Sequence, residues 1–291
     1  MIRQLRYRIA IFLSLVITAG MWAHQVQADD FTRKYRNTSI NWTKEIIMSA
    51  STADIRITKE GQPLNIDTGV PTSLNRARQA AYLHARNNAI EEMAMSIQHI
   101  IVDPDTTMRK LIQRETFSQA GLAELLQKRT SSRVYPSGFT TAHCRLSIHM
   151  GELLQVIPYT FPENEFPDIW GDTIPTEYTG LIIDARGLEV KPMLLPSLFD
   201  DMGREIFGRQ YIHSPMAVKR GTVAYCYNED DAMRHAKSGD RPFFTIAIRA
   251  MKGCPVLSSD DTRKIYSSPA TRKNLKNCNV VIILNREDES S

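Results

Sequence analysis

The sequence predicts an α+β protein of two small domains, each a mostly antiparallel sheet with helices packed on one face. Three observations lead there. The 291 residues are 42% hydrophobic and 23% charged, which is globular composition and enough chain for one large or two small domains. Both apolar periodicities occur: a long stripe at three- and four-residue steps, and separate short stretches that alternate apolar and polar residues. A proline-rich spacer then divides the two sets of elements.

The chain begins with a basic stretch, Arg3, Arg6 and Arg8, followed by an apolar run from Ile9 to Ala23. That run is shorter than the roughly 20 residues needed to span a bilayer, and it reads as a signal peptide over 1–28. Val26-Gln27-Ala28 suits cleavage after Ala28, so the mature chain would open at Asp29 in the periplasm. The alternative is an uncleaved anchor. The whole chain carries 36 basic and 32 acidic residues, for +4. Without the leader's three arginines the balance is +1. Near-neutral charge with scattered cations argues against nucleic acid as a partner.

The N-terminal module is expected over 29–157. Ile40, Trp42, Ile46 and Met48 fall on one side of a period-2 pattern interrupted by Lys44, and predict one strand. Beyond Gly61-Gln62-Pro63 and Gly69-Val70-Pro71, a helix is predicted from Ser73 to Ile101. Its stripe of Ala77, Ala81, Ala85, Ala89, Met93, Ile97 and Ile101 would let it lie close on a sheet, with Arg76, Arg86 and Glu91 in solvent. Asp103-Pro104-Asp105 ends the run. Further helices are expected over Thr106–Gln119 and Leu122–Lys128. Two strands of a hairpin follow, the second from Thr141 to Met150, with Ala142, Cys144, Leu146, Ile148 and Met150 inward.

Pro158, Pro162, Pro167 and Pro175 make 158–176 an extended linker, and the C-terminal module is expected over 177–291. Its predicted elements are a buried strand run within Tyr178–Gly187 closed by a turn, a hairpin from Leu198 to Phe207 turning at Asp200-Asp201-Met202-Gly203, and strands over Val223–Tyr227, Phe243–Ile248 and Val280–Leu284. A helix is expected over Asp230–Ser238, and Ser258 would cap another that runs toward Ile265.

No catalytic motif survives inspection. A phosphate loop, a paired HExxH and a glycine elbow are all missing from the sequence. The protein is therefore expected not to be an enzyme and to need no cofactor. His143 and His149 share a strand face, but six residues place them roughly 20 Å apart, too far for one ion, so no metal is expected and both histidines read as solvated. Asn37 and Asn41 begin glycosylation sequons that carry little weight in a bacterial-looking chain. Asp184 and Arg186 flank a turn after a strand. They are the candidate binding corner, with mutual capping as the plainer reading.

The four cysteines, Cys144, Cys226, Cys254 and Cys278, show no metal-site spacing. In an oxidising compartment the expected bridge joins Cys254 to Cys278, both at the ends of predicted elements, with Cys226–Cys254 as the runner-up. Cys144 sits on an inward strand position and reads as a buried small hydrophobe.

Trp42, Pro71, the run from Arg76 to Ala89 and Thr106-Thr107-Met108, followed by a strand with one wet face, resemble the bacterial envelope family of FlgP-like lipoproteins and the related FlgT-like flagellar proteins. The segment Thr179–Gly187 with its hairpin through Gly203–Gly208 resembles the C-terminal portion of exported proteins carrying the same first module. The resemblance implies a non-enzymatic cell-envelope protein that assembles with other envelope or flagellar proteins or with itself, at the outer membrane or the flagellar basal body. The chain departs from the lipoprotein pattern because no cysteine stands at the cleavage site, so no lipid anchor is expected. The other functional reading is a periplasmic ligand-binding or hydrolytic module built on Asp184 and Arg186.

Overall fold

The computed structural model describes residues 29–114, 118–137, 140–167 and 173–286. The signal peptide expected over 1–28, with its expected cleavage after Ala28, lies outside them. The chain is α+β, with helices and antiparallel sheet.

The first half contains β1 (Thr32–Tyr35), β2 (Thr38–Asn41), β3 (Ile46–Asp54), α1 (Leu74–Ile97), β4 (Ile101–Asp103), β5 (Thr106–Thr107), α2 (Met108–Gln113), α3 (Gln119–Arg129), β6 (Ser131–Ser137), β7 (Thr141–His149) and α4 (Met150–Leu154). Five strands form one antiparallel sheet in the order β1-β2-β3-β7-β6. Helix α1 lies across β3 and β7. Ser73 starts it by accepting a hydrogen bond from the Arg76 backbone N–H. Its alanines 77, 81, 85 and 89 are buried against the sheet with Met93 and Ile97, since side chains this small bring helix and strands close together.

Three expectations need correction here. Trp42 to Glu45 form a turn rather than the middle of a strand, and this turn resets the alternation: Ile40 faces Ile47, both buried, while Met48 is exposed. Helix α1 ends at Ile97, because Ile101 pairs with Thr107 in a short hairpin over Pro104-Asp105 and its carbonyl accepts the Leu194 N–H. The helix placed over Thr106–Gln119 begins only at Met108, capped by Thr107, and α2 stops at Gln113. Strand β7 follows the predicted alternation, with Ala142, Cys144, Leu146 and Ile148 buried.

The second half contains β8 (Leu181–Asp184), β9 (Leu198–Asp200), β10 (Glu205–Phe207), α5 (Ser214–Arg220), β11 (Ala224–Cys226), α6 (Glu229–Arg234), β12 (Phe243–Ile246), β13 (Arg249–Met251), β14 (Cys254–Leu257), α7 (Ser259–Tyr266), α8 (Pro269–Lys276) and β15 (Val280–Ile283). The β9–β10 hairpin forms as predicted, with Gly203 at φ +81°. Ser258 caps α7 through the Asp261 N–H.

The expectation of mostly antiparallel pairing does not extend to this half. The sheet β11-β15-β8-β12 is parallel throughout, and in β10-β9-β14-β13 the central pair, β9 and β14, is parallel. Parallel neighbours need long crossovers, which the helices between these strands supply. The strands Leu181-Ile182-Ile183 and Val280–Ile283 are buried on both faces, as unbroken apolar runs in parallel sheets are.

The described part of 158–176 has neither helix nor strand, but it is packed: Phe166 is buried and stacks on Tyr211 at 5.0 Å. The two halves also meet directly. Trp42 packs edge-on against Tyr225 at 5.6 Å between ring centres, Phe31 lies 4.6 Å from the ring of Tyr227, and α4 packs on α5.

Candidate functional site

Where the halves meet, a cleft of about 470 Å³ opens between the β2–β3 turn, the end of β7, the end of α5 and the segment after α6. The turn supplies Thr43, Lys44 and Glu45, β7 supplies His149, α5 supplies Arg220, and His235 and Lys237 follow α6.

Glu45 is held in a left-handed conformation, φ +57°, that a glutamate adopts only when its surroundings fix it. Its backbone carbonyl accepts the Met150 N–H at 2.8 Å. Its carboxylate turns into the interface, where Lys237 Nζ donates to Oε1 at 2.5 Å and also to the Gly221 carbonyl at 3.0 Å. The side chains of Glu45 and Lys237 are 7% and 3% exposed. Gly221, at φ +64°, is the position where the chain passes the carboxylate, and a Cβ there would collide with it. Burial drives both partners toward their neutral forms. It pushes the Glu45 carboxyl up to about 7 against the pull of Lys237, and it lowers the Lys237 ammonium against the pull of Glu45.

Both histidines are fixed as one tautomer by their hydrogen bonds. The Gly151 N–H donates to His149 Nδ1 at 3.1 Å, so the proton of neutral His149 sits on Nε2, 3.6 Å from Glu45 Oε2. The Lys237 N–H donates to His235 Nδ1, and His235 Nε2–H donates to the Thr43 carbonyl at 3.2 Å. Burial, reinforced by the Lys237 charge, lowers the pKa of each. The cleft's formal charges are therefore Lys44, Arg220 and Lys237 against Asp30 and Glu45. Lys44 is paired with Asp30 at 2.5 Å and Lys237 with Glu45. Arg220 bonds to neutral oxygens, Asn279 Oδ1 at 3.0 Å and the Ala236 carbonyl at 3.5 Å.

The residues singled out from sequence lie elsewhere, except His149. Asp184 and Arg186 pair with each other: Arg186 Nε donates to Asp184 Oδ1 at 2.9 Å, and the Arg186 backbone N–H donates to the same oxygen at 3.1 Å. The Arg186 hydrogen bond holds the Asp184 carboxyl below its usual range. They cap their own turn and do not line the cleft. Cys254 and Cys278, expected to be bridged, are free thiols, as are Cys144 and Cys226, and all four are buried. The reason is placement in different layers. Cys254 lies on β14 of the mixed sheet, its Sγ 3.8 Å from Met193 Sδ, while Cys278 precedes β15 of the parallel sheet. Burial pushes the Cys254 thiol up to about 11 and those of Cys226 and Cys278 up to about 12, which suppresses thiolate chemistry. His143 stacks on Tyr135 at 5.3 Å. His149, read as solvated, is instead half-buried in the cleft wall.

Among the described residues, no group of three or more His, Cys, Asp or Glu side chains is placed to hold a metal ion, and no helix is long and apolar enough to cross a membrane. Glu45, Arg220 and Lys237 escaped sequence reasoning because they converge only in the fold, with Glu45 and Lys237 separated by 192 positions. The one local hint was the polar Lys44-Glu45 pair interrupting an apolar alternation.

Residues 180–286, a little over a third of the chain, match the family model described as the second domain of Treponema pallidum Tp0624. That description names a position in a bacterial protein rather than an activity. None of the curated proteins matches the chain.

Proposed function

We propose that the protein is an exported bacterial cell-envelope component, periplasmic after cleavage behind Ala28, that works by protein–protein assembly rather than by catalysis. The observation that carries this reading is the open edge of the parallel sheet. Among the described residues strand β12 pairs with β8 alone, and on it Ile246 is 66% exposed beside half-buried Phe244; Ile248, 51% exposed, lies just beyond, where its N–H donates to the Val256 carbonyl. Unpaired strand edges bearing large apolar side chains are surfaces that protein contacts cover. The leader and the resemblance to FlgP-like and FlgT-like proteins support the compartment, and point to the flagellar basal body or the outer membrane as the place of assembly.

Fractionation of cells carrying the tagged protein, followed by native sedimentation of the envelope extract, tests this. The protein is expected in the periplasmic or outer-membrane fraction, in a complex larger than its own mass. An Ile246→Asp/Ile248→Asp variant should sediment as a monomer with unchanged circular dichroism. Cytoplasmic recovery, or a parent protein that already sediments alone, would refute the proposal.

A further inference from the structure

We propose that the cleft between the two halves is a receptor for a single carboxylate group, carried by a small organic acid or by the free end of a peptide, with Arg220 as its principal contact. Counting formal charges, the cleft holds one more cation than anion, and the excess resides on Arg220. Lys44 and Lys237 each already have a hydrogen-bonded carboxylate partner, whereas among the described residues the hydrogen bonds of Arg220 go to the side-chain oxygen of Asn279 and a backbone carbonyl, with the Glu45 charge acting on it only through space. Those two bonds orient the guanidinium without neutralising it and leave N–H groups for a planar, two-oxygen acceptor.

A monoanion balances the site. A dianion such as phosphate would leave surplus negative charge beside Asp30 and Glu45, which line the same cleft. Beside the cation the His149 and His235 rings are each pinned by a backbone N–H at Nδ1. At about 470 Å³ the cleft falls in the range of small-ligand sites, and it opens outward, so the rest of a chain can trail into solvent. Both halves contribute walls, so an occupant would also bear on how the halves are held together. This inference is independent of the assembly surface on β12, which lies on the far side of β8 from β15.

Calorimetry and amide-shift mapping on the whole exported chain test it with three probes: N-acetyl-trialanine, its C-terminal amide, and acetate. The free-acid peptide is expected to bind at least about tenfold tighter than the amide. Shifts should centre on His149, Arg220 and His235. Acetate binding equal to that of the peptide assigns the site to small free acids, and peptide binding about tenfold tighter assigns it to chain ends. Arg220→Gln should lose about tenfold or more, Arg220→Lys should fall between, and Arg186→Gln should bind like the parent. Should Arg220→Gln fail to fold, the shift map and the acid–amide comparison on the parent decide alone. Equal binding of acid and amide, shifts centred away from the cleft, undiminished binding by a folded Arg220→Gln protein, or no binding at about 10 mM would each overturn the proposal.

Discussion

Removing Lys237 is the sharpest perturbation of the seam between the halves. In a Lys237→Met protein the Glu45 carboxyl keeps its burial but loses the charge and the hydrogen bond that oppose its desolvation, so its pKa climbs beyond about 7. Each pKa unit is worth about 1.4 kcal/mol, so even in the parent ionising Glu45 costs about 3 kcal/mol relative to the unfolded chain. Because the folded pKa lies above the unfolded one, the favourable contribution is complete at low pH and is lost as pH rises through about 7. The variant exaggerates this. At about pH 8, where an unpaired carboxylate would be buried, the loss should be about 3–5 kcal/mol. At about pH 5.5, where Glu45 is protonated, it should shrink to about 1–2 kcal/mol for the missing hydrogen bonds to Glu45 and Gly221. Glu45→Gln/Lys237→Met, which removes both charges, should recover most of the difference at pH 8 and show a flatter pH profile. Urea denaturation of the three proteins at both pH values supplies the numbers. A loss that is equal at the two pH values, or a double variant no more stable than the single one, would show that the Glu45–Lys237 pair does not carry the interface as described.

Gly151→Ala should cost about 1–3 kcal/mol in the same assay, because the added Cβ runs into the Val218 carbonyl of α5. A thiol reagent under native conditions should label slowly, and after denaturation should count four free thiols; a disulfide-linked peptide in a non-reducing digest would contradict the structure. Asp184→Ala should change stability by no more than about 1 kcal/mol, since its partner is half in solvent and the pair only caps a turn. Amino-terminal sequencing of protein recovered from the envelope should begin at Asp29, and a form retaining Arg3 would remove the export reading.

What was legible in the sequence is what depends on neighbours along the chain. The alanine stripe of α1, the alternation in β7 and the Gly203 turn each follow from local spacing, and each stands in the structure within a few residues of its predicted place. The direction of pairing was less legible. Two-sided burial of Val280–Ile283 is written in its composition, but which strands flank it depends on crossovers that periodicity does not record. The turn at Trp42–Glu45 hid because Ile46 falls in phase with Ile40 if the intervening residues are extended, and only the positive φ of Glu45 breaks that phase. The cleft was invisible for a related reason. Its groups come from five separate segments, and each alone looks like an ordinary surface group. Cys254 and Cys278 show the converse error: both do lie at element ends, but sequence position does not reveal that those ends belong to different sheets.

The segment from Asp29 does not stay with its own sheet. Asp30 bridges to Cys226, Thr43 donates to the Tyr225 carbonyl, and Asp29 meets Arg286, so the opening residues are stitched to β11 and to the segment after β15. Contacts separated by 182 to 257 positions close very long loops, and their ordering cost falls due before they return any stability. The amino-terminal half can therefore lay α1 on its own strands early, while the Phe31 and Trp42 rings and the carboxylate of Glu45 must wait for Tyr225, Tyr227 and Lys237 of the second half to arrive. Until then the nascent chain stays open at that end. For a polypeptide threaded through a membrane from its amino terminus, this order of events postpones closure until nearly the whole length is across.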